Sequence, residues 1–485
     1  MDKQTLSNYG WLVIVTLILA VMLALATPFG TYVGDGVVSI ANGYVATSNN
    51  AIDEDNIQSN ENIWDTKLQY GVTNSTSYYF NTLSDAIYAV NNNDYTKASN
   101  KTGSLLIVKN EDTTVLKLLN DITESQIIEI NNNLTMNLNN HTLSLCDNGL
   151  LKIKNGIQFN IQNGKIAKQI NSISEDRAYT VIYLESNTKT YVENIKANIE
   201  NNGVNQVTFI LLPSADSDQV LTLNNCDINV QTNESAIVNG DEKGQWSRTI
   251  FSNADNVTFN MKNCNTNVVA PFGNNVYFKS GSFNITGGTH TTATNFMDTD
   301  ALHPFVYTIN IGSDAVGKIN NANFTFNNSL CVMPCVIHNS GILELNNIKA
   351  VCNSNHSCTS VHYSYVTATY DTSTTSGVVA TTTINNCDFE MNASLTQTSA
   401  VRVQNGATVH INDSKFTINF NKVAGTTGSH IPYAIFLNAS EAGNTCNIKN
   451  SYIKAPRGYR QMNGSSDVYN EFNVTYECDV IKTTA

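Results

Sequence analysis

The sequence predicts an all-β solenoid, a parallel β-helix, and three observations carry that expectation. First, a ten-residue pattern recurs as LTLNNCDINV (221–230), FNMKNCNTNV (259–268) and TTINNCDFEM (382–391). Weaker copies follow the same plan at 136–145, 159–168, 318–326, 343–352, 409–418 and 446–455. Second, apolar residues alternate as in a strand, as Leu221 and Leu223 do, and then shift phase after Asn225 to Cys226, Ile228 and Val230. The same switch follows Asn263, Asn347, Asn386 and Asp413. Third, the residue at the switch is almost always Asn, which tolerates the left-handed backbone that a one-residue bend requires. Each copy therefore reads as two short strands meeting at a corner, both turning apolar side chains to one interior. Stacked Asn amides can then hydrogen-bond along the axis.

Composition agrees. Of 485 residues 72 are Asn and only 14% are charged, which excludes a coiled coil or a highly charged disordered chain. The net charge of −13 leaves no basic patch for a phosphate backbone, so no nucleic-acid partner is expected.

Residues 1–33 hold an uncharged run, WLVIVTLILAVMLALA, from Trp11 to Ala26. It is short for a membrane span. Two readings stay open: a signal-anchor helix that holds the chain to the membrane through residues 11–33, or a secretory signal cleaved after Ala26 in a small-x-small site. Both place the rest of the chain at the extracellular face of the membrane, on the cell surface or secreted. Residues 34–76 are polar, with no sustained apolar period, and read as a linker. In 77–100, Thr82-Leu83-Ser84-Asp85 resembles a capping box, and Leu83, Ala86, Ile87 and Val90 follow helical spacing. This short helix would plug the open end of the solenoid, where bare strand edges invite aggregation.

The β-helix is expected over 101–485, with corners at Asn140, Asn163, Asn194, Asn225, Asn263, Ser280, Asn321, Asn347, Asn386, Asp413 and Asn450. The 17 residues from Asn263 to Ser280 are too few for a full circuit, so that corner is the weak member of the series. After Asn450 the pattern decays, as in a terminal cap.

The opening of this region, YYFNTLSDAIYAVNNN through NNHTLSL (78–145), resembles bacterial cell-surface proteins with a pectin-lyase-like right-handed parallel β-helix. The resemblance extends weakly over 78–480 and implies three strands per coil, extracellular display, and functions from polysaccharide cleavage to adhesion.

Four groups of residues are chemical candidates. The hydrolases of that family pair carboxylates across the scissile bond. Their motifs are missing, and Asp298 and Asp300, with His303 behind them, come nearest. A lyase of the family uses an Arg or Lys base with a calcium site, so calcium belongs to that alternative only. Of five arginines, Arg402 is the best placed, on a strand. Cys331, Cys335, Cys352 and Cys358 cluster with His338, His356 and His362 in spacings unlike a zinc knuckle. A disulfide such as Cys352 with Cys358, or thiols in the core, competes with a metal there. Tyr363, Tyr365 and Tyr370 lie in a Thr-rich insertion and suit stacking on sugar rings from a loop. Cys226, Cys264 and Cys387 share the inward position after the corner and belong to the core. With a complete solenoid pattern and no catalytic motif, the expected function is non-catalytic adhesion or glycan and surface binding. The alternative is a polysaccharide lyase or glycoside hydrolase on the same scaffold. No cofactor is expected.

Overall fold

A computed structural model describes residues 75–99, 101–111, 113–171, 179–202, 206–213, 216–233, 246–294, 305–328, 333–354, 363–372, 378–394, 397–421, 431–438, 443–461 and 466–484. They form a right-handed parallel β-helix with three sheets. Sheet A holds the strands before each corner, among them Asp216–Asn224, Asp255–Lys262, Ile342–Asn346, Thr381–Asn385 and Thr408–Asn412. Sheet B holds those after it, such as Asp227–Thr232, Asn265–Val269, Lys349–Ser354, Asp388–Ala393 and Lys415–Phe420. Sheet C completes each coil with Tyr179–Leu184, Val207–Leu212, Trp246–Ser252, Met333–Asn339, Tyr363–Tyr370, Gln397–Gln404 and Tyr433–Asn438. Phe272–Thr286 and Phe305–Asn320 run continuously from sheet C into sheet A. Coils pair in strict register, so that Ile319, Leu345, Ile384, Ile411 and Ile448 stack in one interior column. The single core runs the length of the solenoid and includes Phe159, Phe259, Phe324, Phe389 and Phe416.

The corners are where the sequence places them. Asn163, Asn194, Asn225, Asn263, Asn321, Asn347, Asn386, Asp413 and Asn450 all have φ between 47° and 60°. Their amides form the expected ladder: Asn194 donates to Asn163 at 3.0 Å, Asn347 to Asn321 at 2.6 Å and Asn386 to Asn347 at 3.4 Å. A second ladder stands one residue earlier, Asn412 to Asn385 at 2.7 Å, Asn385 to Asn346 at 2.9 Å and Asn346 to Asn320 at 2.9 Å. The residue after the corner has its own requirement. The N–H of Cys226 donates to Cys264 Sγ at 3.4 Å, that of Cys387 to Ser414 Oγ at 3.0 Å, and that of Ser414 to Ser451 Oγ at 3.1 Å. Cys226, Cys264 and Cys387 are core residues, as expected, but they are also small acceptors that satisfy a buried donor of the coil above.

The expected corner at Ser280 is corrected. Ser280 pairs with Asp314 where the chain turns from sheet C into sheet A. The corner of that coil is Gly287–Gly288, with φ of 70° and 87°. A Cβ on Gly288 would lie 1.9 Å from the Cys264 carbonyl oxygen, so no side chain fits at that position. The pattern also does not decay after Asn450. A further corner at Asn473, φ 52°, joins Val468–Phe472 to Thr475–Thr484 in one more coil.

Helix α1, Leu83–Asn92, is the expected plug. Thr82 Oγ1 accepts from the Asp85 N–H at 3.1 Å, and Asn93 in the left-handed region closes the other end. Its buried face, Leu83, Ala86, Ile87, Ala89 and Val90, joins the head of the core. The strands Thr76–Phe80, Leu105–Lys109 and Thr114–Leu118 surround it as an antiparallel meander, which the repeat pattern does not announce. The last of these then pairs in parallel with Leu134–Asn137 and starts the stack. Among the described residues no helix is long and apolar enough to cross a membrane, and the segment 11–33 lies outside them.

Candidate functional site

The outer face of sheet C differs from the other two faces in charge. From Tyr179–Leu184 through Tyr433–Asn438 and on to Arg457, its strand residues include no Asp or Glu, in a protein with 40 of them. Every described arginine stands on this face, at 248, 402, 457 and 460. Each is stacked on aromatic rings. The Arg402 guanidinium lies 4.8 Å from the Tyr365 ring and 5.5 Å from that of Phe436. Arg460 lies 4.9 Å from Phe436, and Arg457 lies 5.2 Å from Tyr433 and donates to its hydroxyl at 2.6 Å. The stacking follows from register, because Tyr277, Asn310, His338, Ala368, Arg402, Phe436 and Arg460 form one row of Cα partners along the axis. Guanidinium planes between rings of adjacent strands keep their charge while burying their faces.

In that row the small Ala368 separates His338 from Arg402 and leaves a cavity of about 390 Å³, within the range of small-ligand sites. Cys335 and Ala368 form its floor. Tyr307 and His338 stand on one side, Tyr365 and Arg402 on the other, with Tyr370 beside them. His338 Nδ1 lies 3.0 Å from Asn310 Oδ1. In the tautomer that donates this bond, Nε2 carries the lone pair. The His338 and Tyr307 rings are 5.0 Å apart. Burial lowers the imidazole's pKa to about 4, raises the Tyr307 phenol and raises the Cys335 thiol well above its ordinary value. At neutral pH the cavity therefore presents a neutral imidazole, protonated phenol and thiol groups, and one guanidinium.

A second groove, of about 460 Å³, runs over sheet B beside Lys196, Asn229 and Asn267. Its amides are engaged with one another, Asn229 with Asn198 and Asn267 with Asn229 at 2.8 Å each. That groove offers a ligand fewer open donors than the cavity on sheet C.

The sequence candidates separate as follows. Arg402 lines the cavity. Tyr365 and Tyr370 line it as well, but from the strand Tyr363–Tyr370 rather than from a loop, which corrects the insertion reading. The Tyr363 side chain lies outside the described residues, as do Asp298, Asp300 and His303. Cys331, His356, Cys358 and His362 also lie outside them. Of the remaining cluster, Cys335 and His338 face the cavity, whereas Cys352 is a free thiol in the solenoid core on sheet B. These residues do not converge, and among the described residues no group of three or more His, Cys, Asp or Glu could hold a metal ion. Sequence reasoning missed Tyr307, Asn310 and Phe436. Their signal is the coil register, which brings residues about 30 apart onto one row.

By sequence the chain matches no protein-family model and no curated protein. Among solved structures it is similar to the crystal structure of the periplasmic alginate epimerase AlgG, with 7% identity and a TM-score of 0.34 over 75% of this chain and 78% of that one. A double mutant of that epimerase aligns with 6% identity and a TM-score of 0.25 over 84% and 93%. Fold and site together define a parallel β-helix protein with an arginine–aromatic groove along one sheet.

Proposed function

We propose that sheet C is the ligand-binding face of an exported chain and that its ligand is an acidic polysaccharide. The observation that supports this reading is the placement of the charges. Arginines gather on the stretch of sheet C from Tyr179–Leu184 onward, which has no strand carboxylates. Lysines pair with acids elsewhere, as Lys152 does with Glu129 at the head of the same sheet and Lys454 with Glu477 on sheet B. Aromatic rings between the guanidinium groups suit the faces of sugar rings, and guanidinium suits carboxylate or sulfate groups. Adhesion is one use of such a face.

Catalysis is a second reading, and His338 and Arg402 favour it. A guanidinium paired with the carboxylate of a uronate acidifies the proton on the adjacent ring carbon. A neutral imidazole on the other side of the cavity can take that proton, and a protonated phenol such as Tyr307 can protonate the departing glycosidic oxygen. The products would be a new chain end and an unsaturated sugar. A hydrolase would need paired carboxylates, which the described strands of this face lack.

Both readings are tested by one experiment on the full chain, an array of acidic and neutral polysaccharides read for binding and for unsaturated ends. Acidic glycans are expected to bind, less tightly as salt rises, and Arg402→Gln to weaken them. Equal binding of neutral glycans would overturn the proposal. Unsaturated ends that disappear in His338→Gln would establish the catalytic reading.

A further inference from the structure

Arg248 stands on sheet C far from the cavity, on the strand Trp246–Ser252, and is only 9% exposed. Its guanidinium lies 4.4 Å from the Phe251 ring and 5.2 Å from that of Trp246. One terminal nitrogen donates to Gln206 Oε1 at 3.2 Å, and Nε is buried without a hydrogen-bond partner. No ion pair with a described residue balances its charge. An arginine held this way leaves a buried donor and a full charge unspent, which a structural role alone would neutralise with a carboxylate.

Register fixes where this group lies relative to the cavity. Arg248 pairs with Asn274, Asn274 with Tyr307, Tyr307 with Cys335, Cys335 with Tyr365, and Tyr365 with Ser399 on the strand of Arg402. Five strand spacings of about 4.8 Å put the two arginines about 24 Å apart along the axis. The sheet C portions of the strands between present Tyr277, Asn310 and Tyr307 and no acid, Asp314 lying at the turn into sheet A.

We propose that Arg248, with Trp246 and Phe251, forms a second anion-binding station that holds the same acidic chain as the Arg402 cavity. This rests on the acidic-polysaccharide reading and deepens it. The polymer lies parallel to the solenoid axis, and the face selects chains long enough to reach both stations. At about one sugar ring per strand crossed, that length is about six residues. Shorter chains occupy the stations independently, and longer ones bridge them.

The test is calorimetric titration of the full chain with size-graded oligogalacturonates. Short oligomers are expected to bind two per chain and long ones one per chain, with affinity rising roughly 100-fold across the threshold. Arg248→Gln should remove the step and reduce short-oligomer stoichiometry to one. Arg248→Lys, which retains the cation if the glutamine variant folds poorly, should keep two sites and a smaller step. One short oligomer per chain in the wild type, or a step that survives Arg248→Gln, would overturn the second station and leave the first intact. No binding of any oligomer, long or short, would count against the reading of sheet C itself.

Discussion

Sheets A and B and sheet C are made from the same chain in every coil, yet they obey different rules. Between A and B the chain turns in a single left-handed residue, and the Asn amides on either side stack into ladders. The edges of sheet C are less regular: left-handed residues such as Asn187 and Asn405 and amide contacts such as Asn187 to Asn155 and Asn202 to Asn171 occur there in some of the described coils only. The longer connections between coils all border it, and its outer face carries arginines and rings in place of amides. The regular edge holds the coils in register, and that register lines up the residues of the irregular face. The comparison teaches that the proposed binding face lies where the repeat is broken.

The largest expected effect breaks the regular side. Gly288→Val forces a Cβ against the Cys264 carbonyl at a φ of 87°. It should destabilise the chain by at least about 3 kcal/mol, read as a lowered denaturation midpoint. A smaller loss, about 1–3 kcal/mol, is expected for Asn386→Leu, which removes left-handed tolerance and the ladder bond to Asn347. An unchanged melting temperature would refute the corner as a source of stability.

Acid should act through buried imidazoles. Burial lowers the pKa of His290 inside the solenoid, and of His338 on sheet C, from 6.5 to about 4. The unfolded chain binds more protons between those values. The stability these groups contribute is therefore complete above about pH 6.5 and is lost as pH falls through about 4. Melting temperature against pH should fall less steeply in His290→Gln than in the wild type. The smallest effect belongs to the plug: Thr82→Ala loses a helix cap and should cost about 1 kcal/mol, seen as earlier hydrogen exchange in α1.

Sheets A and B were legible in the sequence because their physics is local. A corner needs a left-handed residue, Asn supplies it, and the apolar phase reports it. The corner at Gly287–Gly288 escaped because glycine leaves no side chain to mark a phase, and the turn at Ser280 imitates one. Sheet C was hidden for two reasons. Each of its strands skips one residue in the pairing, as at Thr308 and Val336, where Tyr307 pairs with Cys335 and Ile309 with Ile337. That skip places consecutive residues inward and erases the alternation that marks a strand, so Tyr363–Tyr370 read as a loop. The cavity is also assembled from strands whose residues lie far apart in sequence, so no local motif announces it. The same geometry separates two described members of the Cys/His cluster, most of which lies outside the described residues. Cys335 and Cys352 are close in sequence but face opposite sides of the solenoid wall.

The most direct measurement removes one positive charge from each face and compares the loss. Arg402→Gln on sheet C and Lys196→Gln, exposed on sheet B, change net charge equally. Titrated with the same acidic polysaccharide at fixed salt, Arg402→Gln should weaken binding about tenfold or more, while Lys196→Gln stays within about twofold. Equal losses at the two positions would mean that the whole surface attracts the ligand, and would contradict sheet C as the binding face.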